Sequence, residues 1–200
     1  MNIAQRGMLL VISGPSGAGK GTLVSKLLDK DPTFVFSVSV TTRERRENEI
    51  EDVHYHFISE EEYDKLLEQD AFVEHAEVHG HRYGTLKSEV YERMARGQNV
   101  MLDIDPQGAR SVMEREKDCV SVFILPPSYT ELESRLRKRN TESEEDIQRR
   151  LANARGEIAQ MDKYHYLIVN DDVEEAFEQL QNIVCAEKQN TVRYFPEIDE

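Results

Sequence analysis

The sequence predicts an α/β fold in which helices cover both faces of a parallel sheet, and three observations support this class. Short apolar runs alternate along the chain with longer stretches that have the 3.6-residue period of amphipathic helices. The run Val120–Leu125 is apolar almost throughout, as is expected of a strand covered on both faces. The 200 residues suffice for one sizeable core with small inserted lobes and leave little room for a second domain.

The elements of the core follow one another in a regular order. Strands are predicted at Met8–Ser13, Phe34–Ser37, Asn99–Ile104, Cys119–Leu125 and Tyr166–Val169. Helices are predicted around Gly19–Leu28, Glu60–Glu68, Lys87–Ala95, Gln107–Glu114, Tyr129–Arg139, Glu144–Gln160 and Val173–Glu187. Three helix starts have the spacing of a capping box: Ser59 with Glu62, Ser128 with Glu131, and Thr141 with Glu144. These pairs support the predicted helix boundaries.

Two segments interrupt the alternation and are predicted to be insertions. Residues 39–85 contain hairpin-like strands at Tyr55–Ile58, Phe72–His79 and Arg82–Gly84 instead of a further strand–helix unit. Residues 135–160 are rich in arginine, in a chain whose net charge is −14. We expect one domain over residues 1–200. Its core comprises residues 1–38, 86–134 and 161–190.

Composition excludes several classes of protein. The chain has 25 basic and 39 acidic residues and a pI near 4.9, which argues against binding a nucleic-acid backbone by bulk charge. The apolar run Met8–Ile12 is too short for a membrane span or a signal-peptide core. Cys119 and Cys185 do not suggest a disulfide framework or a thiolate metal cluster. We therefore expect a cytoplasmic protein that binds neither nucleic acid nor membranes.

The clearest chemical motif is the glycine-rich segment between the first core strand and the first helix. It consists of Gly14, Pro15, Ser16, Gly17, Ala18, Gly19, Lys20, Gly21 and Thr22. Glycines let backbone N–H groups surround phosphate oxygens, the helix start adds the positive end of its dipole, and Lys20 adds a full charge. The usual phosphate-loop pattern has a hydroxyl at the position of Gly21, whereas here Thr22 follows one residue later. The motif predicts a nucleotide phosphate cradle and leaves open which hydroxyl approaches magnesium.

Two carboxylates, Asp103 and Asp105, follow the strand Asn99–Ile104 with the two-residue period of one strand face. The carboxyl end of a parallel strand beside a phosphate loop is a place where Mg²⁺ or its water shell is held. We expect Asp103, directly or through water, and Thr22 as metal ligands. Asp105 precedes Pro106 and is equally suited to cap the next helix, and the two roles are compatible.

A second phosphate site is predicted from the segment SVSVTTRERR at residues 37–46. Arg43 and Arg46 carry guanidinium forks that bind a dianionic phosphate bidentately, and Tyr55 and Tyr83 offer phenolic donors. A charged loop of this kind is also compatible with a solvated surface.

The strand from Phe72 to Val78 carries a hypothesis about specificity. Every second residue shares one face, and Glu74 is the only charged residue on the face that begins with Phe72. A carboxylate there matches the N1–H and N2–H₂ donors of guanine and repels the bare N1 acceptor of adenine. Thr85 is placed to donate to guanine O6. An exposed edge, or a salt bridge to an arginine, is the alternative interpretation of Glu74.

Taken in order from Leu9 to about Lys188, these blocks resemble the guanylate kinase family of P-loop nucleoside monophosphate kinases. The blocks are GPSGAGKGT at 14–22, SVSVTTRERR at 37–46, EHAEVHGHRYGT at 74–85, LDIDPQGA at 102–109, ILPPS at 124–128, RLRKRNTESEED at 135–146 and LIVNDD at 167–172. The resemblance implies a P-loop three-layer α/β/α core, a nucleotide-monophosphate-binding lobe over residues 39–85, and a helical lid over residues 135–160. Its reaction is reversible, Mg²⁺-dependent transfer of the ATP γ-phosphoryl group to guanosine monophosphate (GMP) or its deoxy form.

The resemblance also implies roles for individual residues. The GMP phosphate would be held by Ser39, Arg43, Arg46, Tyr55 and Tyr83, and guanine would be contacted by Glu74, Thr85 and Asp105. Catalysis on the ATP phosphates would fall to Lys20, Arg135, Arg139 and Arg150, with Asn170 near adenine. Salt bridges to Glu131 or Glu142 are the alternative for Arg135 and Arg139. The sequence departs from the family pattern in two places, at Asn48 before Glu49 and at Asp52 to His54 before Tyr55.

Two other functions remain in competition with this reaction. An inactive interaction module of the same fold is expected to lack the loop lysine or the lid arginines, but Lys20, Arg139 and Arg150 are present. A kinase for another nucleoside monophosphate would not explain Glu74 together with Thr85.

Overall fold

The computed structural model describes residues 3–47, 49–78, 80–138 and 144–196. Its strands are β1 (Ile3–Gln5), β2 (Leu9–Ser13), β3 (Phe34–Phe36), β4 (Val40–Thr41), β5 (His56–Phe57), β6 (Phe72–Val78), β7 (His81–Leu86), β8 (Asn99–Asp103), β9 (Val120–Leu125), β10 (Tyr166–Val169) and β11 (Tyr194–Pro196). Its helices are α1 (Lys20–Lys30), α2 (Glu60–Glu68), α3 (Lys87–Ala95), α4 (Pro106–Arg115), α5 (Tyr129–Lys138), α6 (Glu144–Ile158) and α7 (Val173–Lys188), with a 3₁₀ turn at Met161–Lys163.

The predicted α/β/α core is confirmed. Five parallel strands form a sheet in the order β10-β9-β2-β8-β3. In β2, Leu10 and Ile12 pack with α1 and α7 on one face, whereas Leu9 and Val11 pack with α3 and α4 on the other. Because consecutive side chains of a strand point to opposite faces, a fully apolar strand supplies both layers of the core.

Residues between β3 and α3 form a second sheet in the order β5-β4-β7-β6. The hairpin predicted between β6 and β7 is present, and its turn uses Gly80 at φ +77°. The stacked rings of Tyr63 and Phe72 attach α2 to this sheet at a centroid distance of 4.8 Å. The strand expected at Tyr55–Ile58 is present as the two residues of β5, but its hairpin-like pairing is wrong, because β5 pairs in parallel with β4.

Capping contacts confirm two of the predicted helix starts. Ser59 accepts a bond from the backbone of Glu62, whose carboxylate accepts from the backbone of Ser59. Ser128 accepts from the backbone N–H of Glu131 at 3.0 Å. The third pair begins at Thr141, which lies outside the described residues. None of the helices that the structure describes is long and apolar enough to cross a membrane.

Candidate active site

The glycine-rich loop between β2 and α1 has a backbone that only glycine adopts without strain. Gly14, Gly17 and Gly19 have φ values of 139°, 92° and 92°. A Cβ atom on Gly14 would collide with the carbonyl oxygen of Ile124, and one on Gly19 would collide with the amide of Asn170. Gly21 has open space where a side chain would lie. The conformation of the loop therefore requires glycine at positions 14 and 19, whereas position 21 has room for a side chain.

The start of α1 is arranged for an anion. Its N-cap, Gly19, makes no side-chain hydrogen bond to the first turn, and that turn contains no acidic residue. The Lys20 ammonium donates to the carbonyl oxygens of Gly14 at 2.6 Å and Pro15 at 3.3 Å, so it lies folded over the loop. Backbone N–H groups and a lysine at one helix start form a phosphate cradle.

Asn170 and two arginines surround this cradle. The buried Asn170 donates to the carbonyl of Ala18 at 2.8 Å, and its own carbonyl accepts from Arg135 at 3.0 Å. Arg135 also forms a salt bridge with Glu131 at 2.8 Å. The sequence had offered this salt bridge as the alternative to a catalytic role for Arg135. On α6, Arg150 donates to the hydroxyl of Ser16 at 3.0 Å. Arg139 lies outside the described residues.

The two carboxylates after β8 have different environments. Asp103 ends the strand, where burial raises the pKa of its carboxyl and the positive charge of Lys20 opposes that rise. Asp105 lies beyond the strand and caps α4, accepting from the backbone N–H groups of Gln107 and Gly108, both at 3.2 Å. The strand therefore ends at the first of the two carboxylates, and the second follows it as a helix cap. Thr22 has an exposed side chain in the first turn of α1.

A cavity of about 300 Å³ lies between the second sheet and the carboxyl end of β8. Its lining includes seven of the residues predicted for GMP, namely Ser39, Arg43, Arg46, Tyr55, Glu74, Tyr83 and Asp105. Thr85 is completely buried and contacts the cavity residues Glu74 and Ser39, at 2.7 and 3.3 Å between oxygens. Asp103 also lines the cavity, and its partner in the sheet register is Ile12, two residues before Gly14, so it connects the cavity with the phosphate cradle.

The arginine at the cavity wall is oriented by a glutamate that the sequence analysis did not assign to the site. Arg43 donates to both carboxylate oxygens of Glu49, at 2.8 and 2.9 Å. These hydrogen bonds lower the pKa of Glu49 to about 2 despite partial desolvation. The guanidinium also lies 5.5 Å from the ring centroid of Tyr55, whose ring contacts that of Tyr83.

Tyr55 thus reaches the cavity despite its unusual preceding residues, of which Asp52 has a φ of 63°. Asn48 is not among the described residues.

Glu74 is a buried carboxylate with 4% of its surface exposed. It accepts a hydrogen bond from Thr85 through Oε1, while Oε2 lies against the backbone of α4, 2.8 Å from where a Cβ on Gly108 would be. Burial raises the pKa of Glu74 to about 7, the Thr85 hydroxyl opposes the rise, and the charge of Asp105 adds to it. The described residues provide no salt bridge for Glu74, so neither alternative interpretation, exposed edge or arginine pair, describes it.

Comparisons with known proteins agree with this geometry. A family model described as guanylate kinase matches residues 6–187. The chain is 53% identical over 189 residues to a guanylate kinase of Rhizobium etli, covering 94% of this chain and 86% of that protein. It is 50% identical over 183 residues to a guanylate kinase of Carboxydothermus hydrogenoformans, covering 92% and 90%.

Solved structures give the same result. The crystal structure of guanylate kinase from Anaplasma phagocytophilum superposes with a TM-score of 0.80 at 36% identity, covering 96% of this chain and 92% of that one. A shikimate kinase from Bacteroides thetaiotaomicron matches with a TM-score of 0.51 at 15% identity, covering 92% and 99%, which is a likeness of fold alone.

Proposed function

The chain belongs to the guanylate kinase family, and we propose that it transfers the γ-phosphoryl group of ATP reversibly to GMP and, more weakly, to its deoxy form. The observation that carries this proposal is the buried Glu74 carboxylate in a cavity that adjoins the phosphate cradle. Asp103 lines the cavity and lies beside the end of β2 that leads into the phosphate loop, where an acceptor phosphate and a donor phosphate would meet.

Recognition of the acceptor base rests on Glu74 and Thr85. A carboxylate accepts from the N1–H and N2–H₂ groups of guanine, and the hydroxyl that now bonds Glu74 is able to donate to guanine O6. Adenine would place an unprotonated ring nitrogen against the carboxylate, and cytosine and uracil are smaller rings. Asp105, fixed as a helix cap at the cavity wall, is a further acceptor for the exocyclic amine.

The acceptor phosphate would bind at the arginine end of the cavity. Arg43 is already oriented by Glu49, and three of its five N–H groups are engaged by the bonds to Glu49 and to the Glu44 carbonyl. Its remaining donors, together with Arg46, Ser39 and the two tyrosines, provide the charge and hydrogen bonds that a phosphate dianion needs. Preorganisation by Glu49 lowers the entropic cost of binding.

Phosphoryl transfer requires no nucleophilic side chain. An oxygen of the acceptor phosphate attacks the γ-phosphorus as the bond to the β-phosphate oxygen breaks, and ADP leaves. The charge that spreads over the transferred group would be stabilised by Lys20, by the N–H groups of the loop, and by Arg150. Arg135 and Arg139 are further candidates, and Asn170 lies on the side of the cradle where adenine would bind.

The residues near the cradle fit a hydrated Mg²⁺ ion. Oxygen ligands are available from Asp103, directly or through water, and from the exposed hydroxyl of Thr22. When bound, Mg²⁺ would neutralise charge on the donor phosphates. We further propose that residues 39–85 act as the acceptor lobe and residues 135–160 as the lid, since Arg150 on α6 reaches Ser16 of the loop.

An acceptor panel tests the proposal. ADP formation is measured with Mg–ATP and, in turn, the monophosphates of guanosine, deoxyguanosine, adenosine, cytidine and uridine. We expect GMP to be preferred, and a Lys20→Met variant to fold normally but lose most turnover. Equal turnover of adenosine monophosphate would refute the guanine assignment. If the correctly folded protein turned over none of the acceptors, that result would favour an interaction module.

A further inference from the structure

A β-bulge in β6 decides which way the Glu74 carboxylate points. Phe72 is opposite Leu86 in β7 and Glu74 is opposite Thr85, so Val73 is an extra residue between the two pairs. Side chains directly opposite each other in an antiparallel pair lie on the same face. Glu74 therefore shares the face of Thr85, from whose hydroxyl it accepts a hydrogen bond at 2.7 Å. Phe72 lies on the other face, although the two-residue period alone would place it with Glu74.

Packing on the two faces of β6 agrees with this register. Phe72 stacks on Tyr63 and belongs with Val40 to a buried apolar cluster. A Cβ on Gly84 would collide with the Phe72 ring at 2.6 Å, so Gly84 faces the same cluster. Without the bulge, Glu74 would be opposite Gly84, and its carboxylate would point into the cluster instead of the acceptor cavity.

Arg115, the last residue of α4, holds this bulge. Its Nη1 donates to the backbone carbonyls of Phe72 at 3.2 Å and Val73 at 3.3 Å. A bulge interrupts the hydrogen-bond ladder, so carbonyls beside it need donors from elsewhere. Both residues are almost completely buried, which raises the cost of leaving their carbonyls without a donor. A side chain of the core thus fixes the backbone of the acceptor lobe.

The same helix contacts β6 at a second place, two turns earlier. Gly108 lies so close to Oε2 of Glu74 that a Cβ there would be 2.8 Å from that oxygen. Because seven residues separate Gly108 from Arg115, the two lie on one face of α4. The helix therefore holds both the backbone before Glu74 and the end of its side chain.

We propose that Arg115 is a positioning residue for acceptor specificity: by bonding the carbonyls of Phe72 and Val73, it holds the bulge that aims the Glu74 carboxylate at the base of the acceptor. Arg115 lies outside the cavity lining that the structure describes, so it acts through Glu74 and not on the nucleotide. The inference rests on the proposed kinase function and deepens its selectivity for guanine.

Steady-state kinetics of Arg115→Met test the proposal, because methionine keeps much of the apolar stem and removes the donors. The acceptors are GMP and inosine monophosphate, which lacks the exocyclic amine of guanine and therefore reports how well the carboxylate is placed. We expect the KM for GMP to rise about tenfold and the preference for GMP, as a ratio of kcat/KM values, to fall about fivefold. The KM for ATP should change by less than about twofold.

Two further variants control for structural effects. Arg115→Lys retains a cation with N–H donors and should recover part of both losses. Arg110→Met is the matched control, because Arg110 is an exposed arginine of the same helix that pairs with Glu114. It should behave like the wild type. Every variant is assayed well below its melting temperature.

The outcomes separate this proposal from the function on which it rests. A wild-type protein that phosphorylates no acceptor, or that uses GMP and inosine monophosphate equally well, refutes the proposed guanine-specific kinase. With a selective wild type, an unchanged preference for GMP in Arg115→Met overturns the positioning role. A proportional loss of activity with both acceptors also overturns it, because a merely structural role produces that pattern.

Discussion

Replacing Glu74 by glutamine separates the two consequences of burying a carboxylate in the acceptor cavity. Glutamine has nearly the same shape and still accepts the bond that Thr85 donates to Oε1. It differs in having no charge and in presenting an N–H₂ group. The substitution should therefore stabilise the free protein and weaken the binding of GMP.

The magnitude of the first effect follows from the pKa of Glu74. Burial raises this pKa from the unfolded value of 4.5 to about 7. The folded protein therefore holds the proton more tightly than the unfolded chain, so its stability is greatest below the unfolded pKa and is lost as pH rises through the folded one. The whole interval corresponds to roughly 3 kcal/mol, of which about 2 kcal/mol falls between pH 5.5 and 8.

Urea unfolding of wild type and Glu74→Gln at several pH values between 5.5 and 8 measures this effect. The difference between the two proteins cancels the titration of groups that they share, and the range avoids the pI near 4.9. We expect the stability advantage of the variant to grow by about 2 kcal/mol over this range. A difference that does not change with pH would refute the reasoning.

The second effect has the opposite sign. Loss of a charged acceptor facing two donors should weaken GMP binding by about 1–3 kcal/mol, a rise in KM of roughly 5- to 150-fold. In the wild type, the KM for GMP should rise as pH falls below about 7, because the protonated carboxyl no longer accepts both guanine bonds. An unchanged KM in the variant would show that Glu74 does not contact the base.

Two further predictions concern stability, and both are measured by thermal melting. Gly14→Ala should destabilise the protein by more than about 2 kcal/mol, because the φ of Gly14 is 139° and an added Cβ would collide with Ile124. Gly21→Ala should melt within about 2 °C of wild type, because the space beside Gly21 is open. Equal effects of the two substitutions would contradict the loop geometry. Tyr164→Phe should raise the melting temperature by about 2–4 °C, since the Tyr164 hydroxyl is buried beside the Ser13 hydroxyl and makes no hydrogen bond of good geometry among the described residues. A lower melting temperature would show that the two hydroxyls are hydrogen-bonded.

The core could be predicted because its strands carry their own signal. β9 is apolar on both faces, and its observed bounds differ by one residue from those expected. The pairing of β1 with β11 had no such signal, since three residues are too few to show a period and the two strands lie at opposite ends of the chain. The parallel pairing of β4 and β5 likewise depends on tertiary contacts that no local pattern encodes.

The same distinction applies to the site. Glu74 could be identified because one charge on an apolar strand face is unusual. Glu49 could not, because it lies in a polar segment and resembles the many other acidic residues of a chain that has 39 of them. Its bidentate contact with Arg43 depends on how the loop between them folds, which no local pattern encodes.

The division of the site into an acceptor cavity and a donor cradle is tested most directly by comparing Arg43→Ala with Arg150→Ala in steady-state kinetics, with each substrate varied in turn. Arg43 lines the cavity, whereas Arg150 contacts Ser16 of the phosphate loop. We expect Arg43→Ala to raise the KM for GMP at least about tenfold with a smaller change in kcat, and Arg150→Ala to lower kcat with little change in that KM. The same kinetic pattern in both variants would contradict the division.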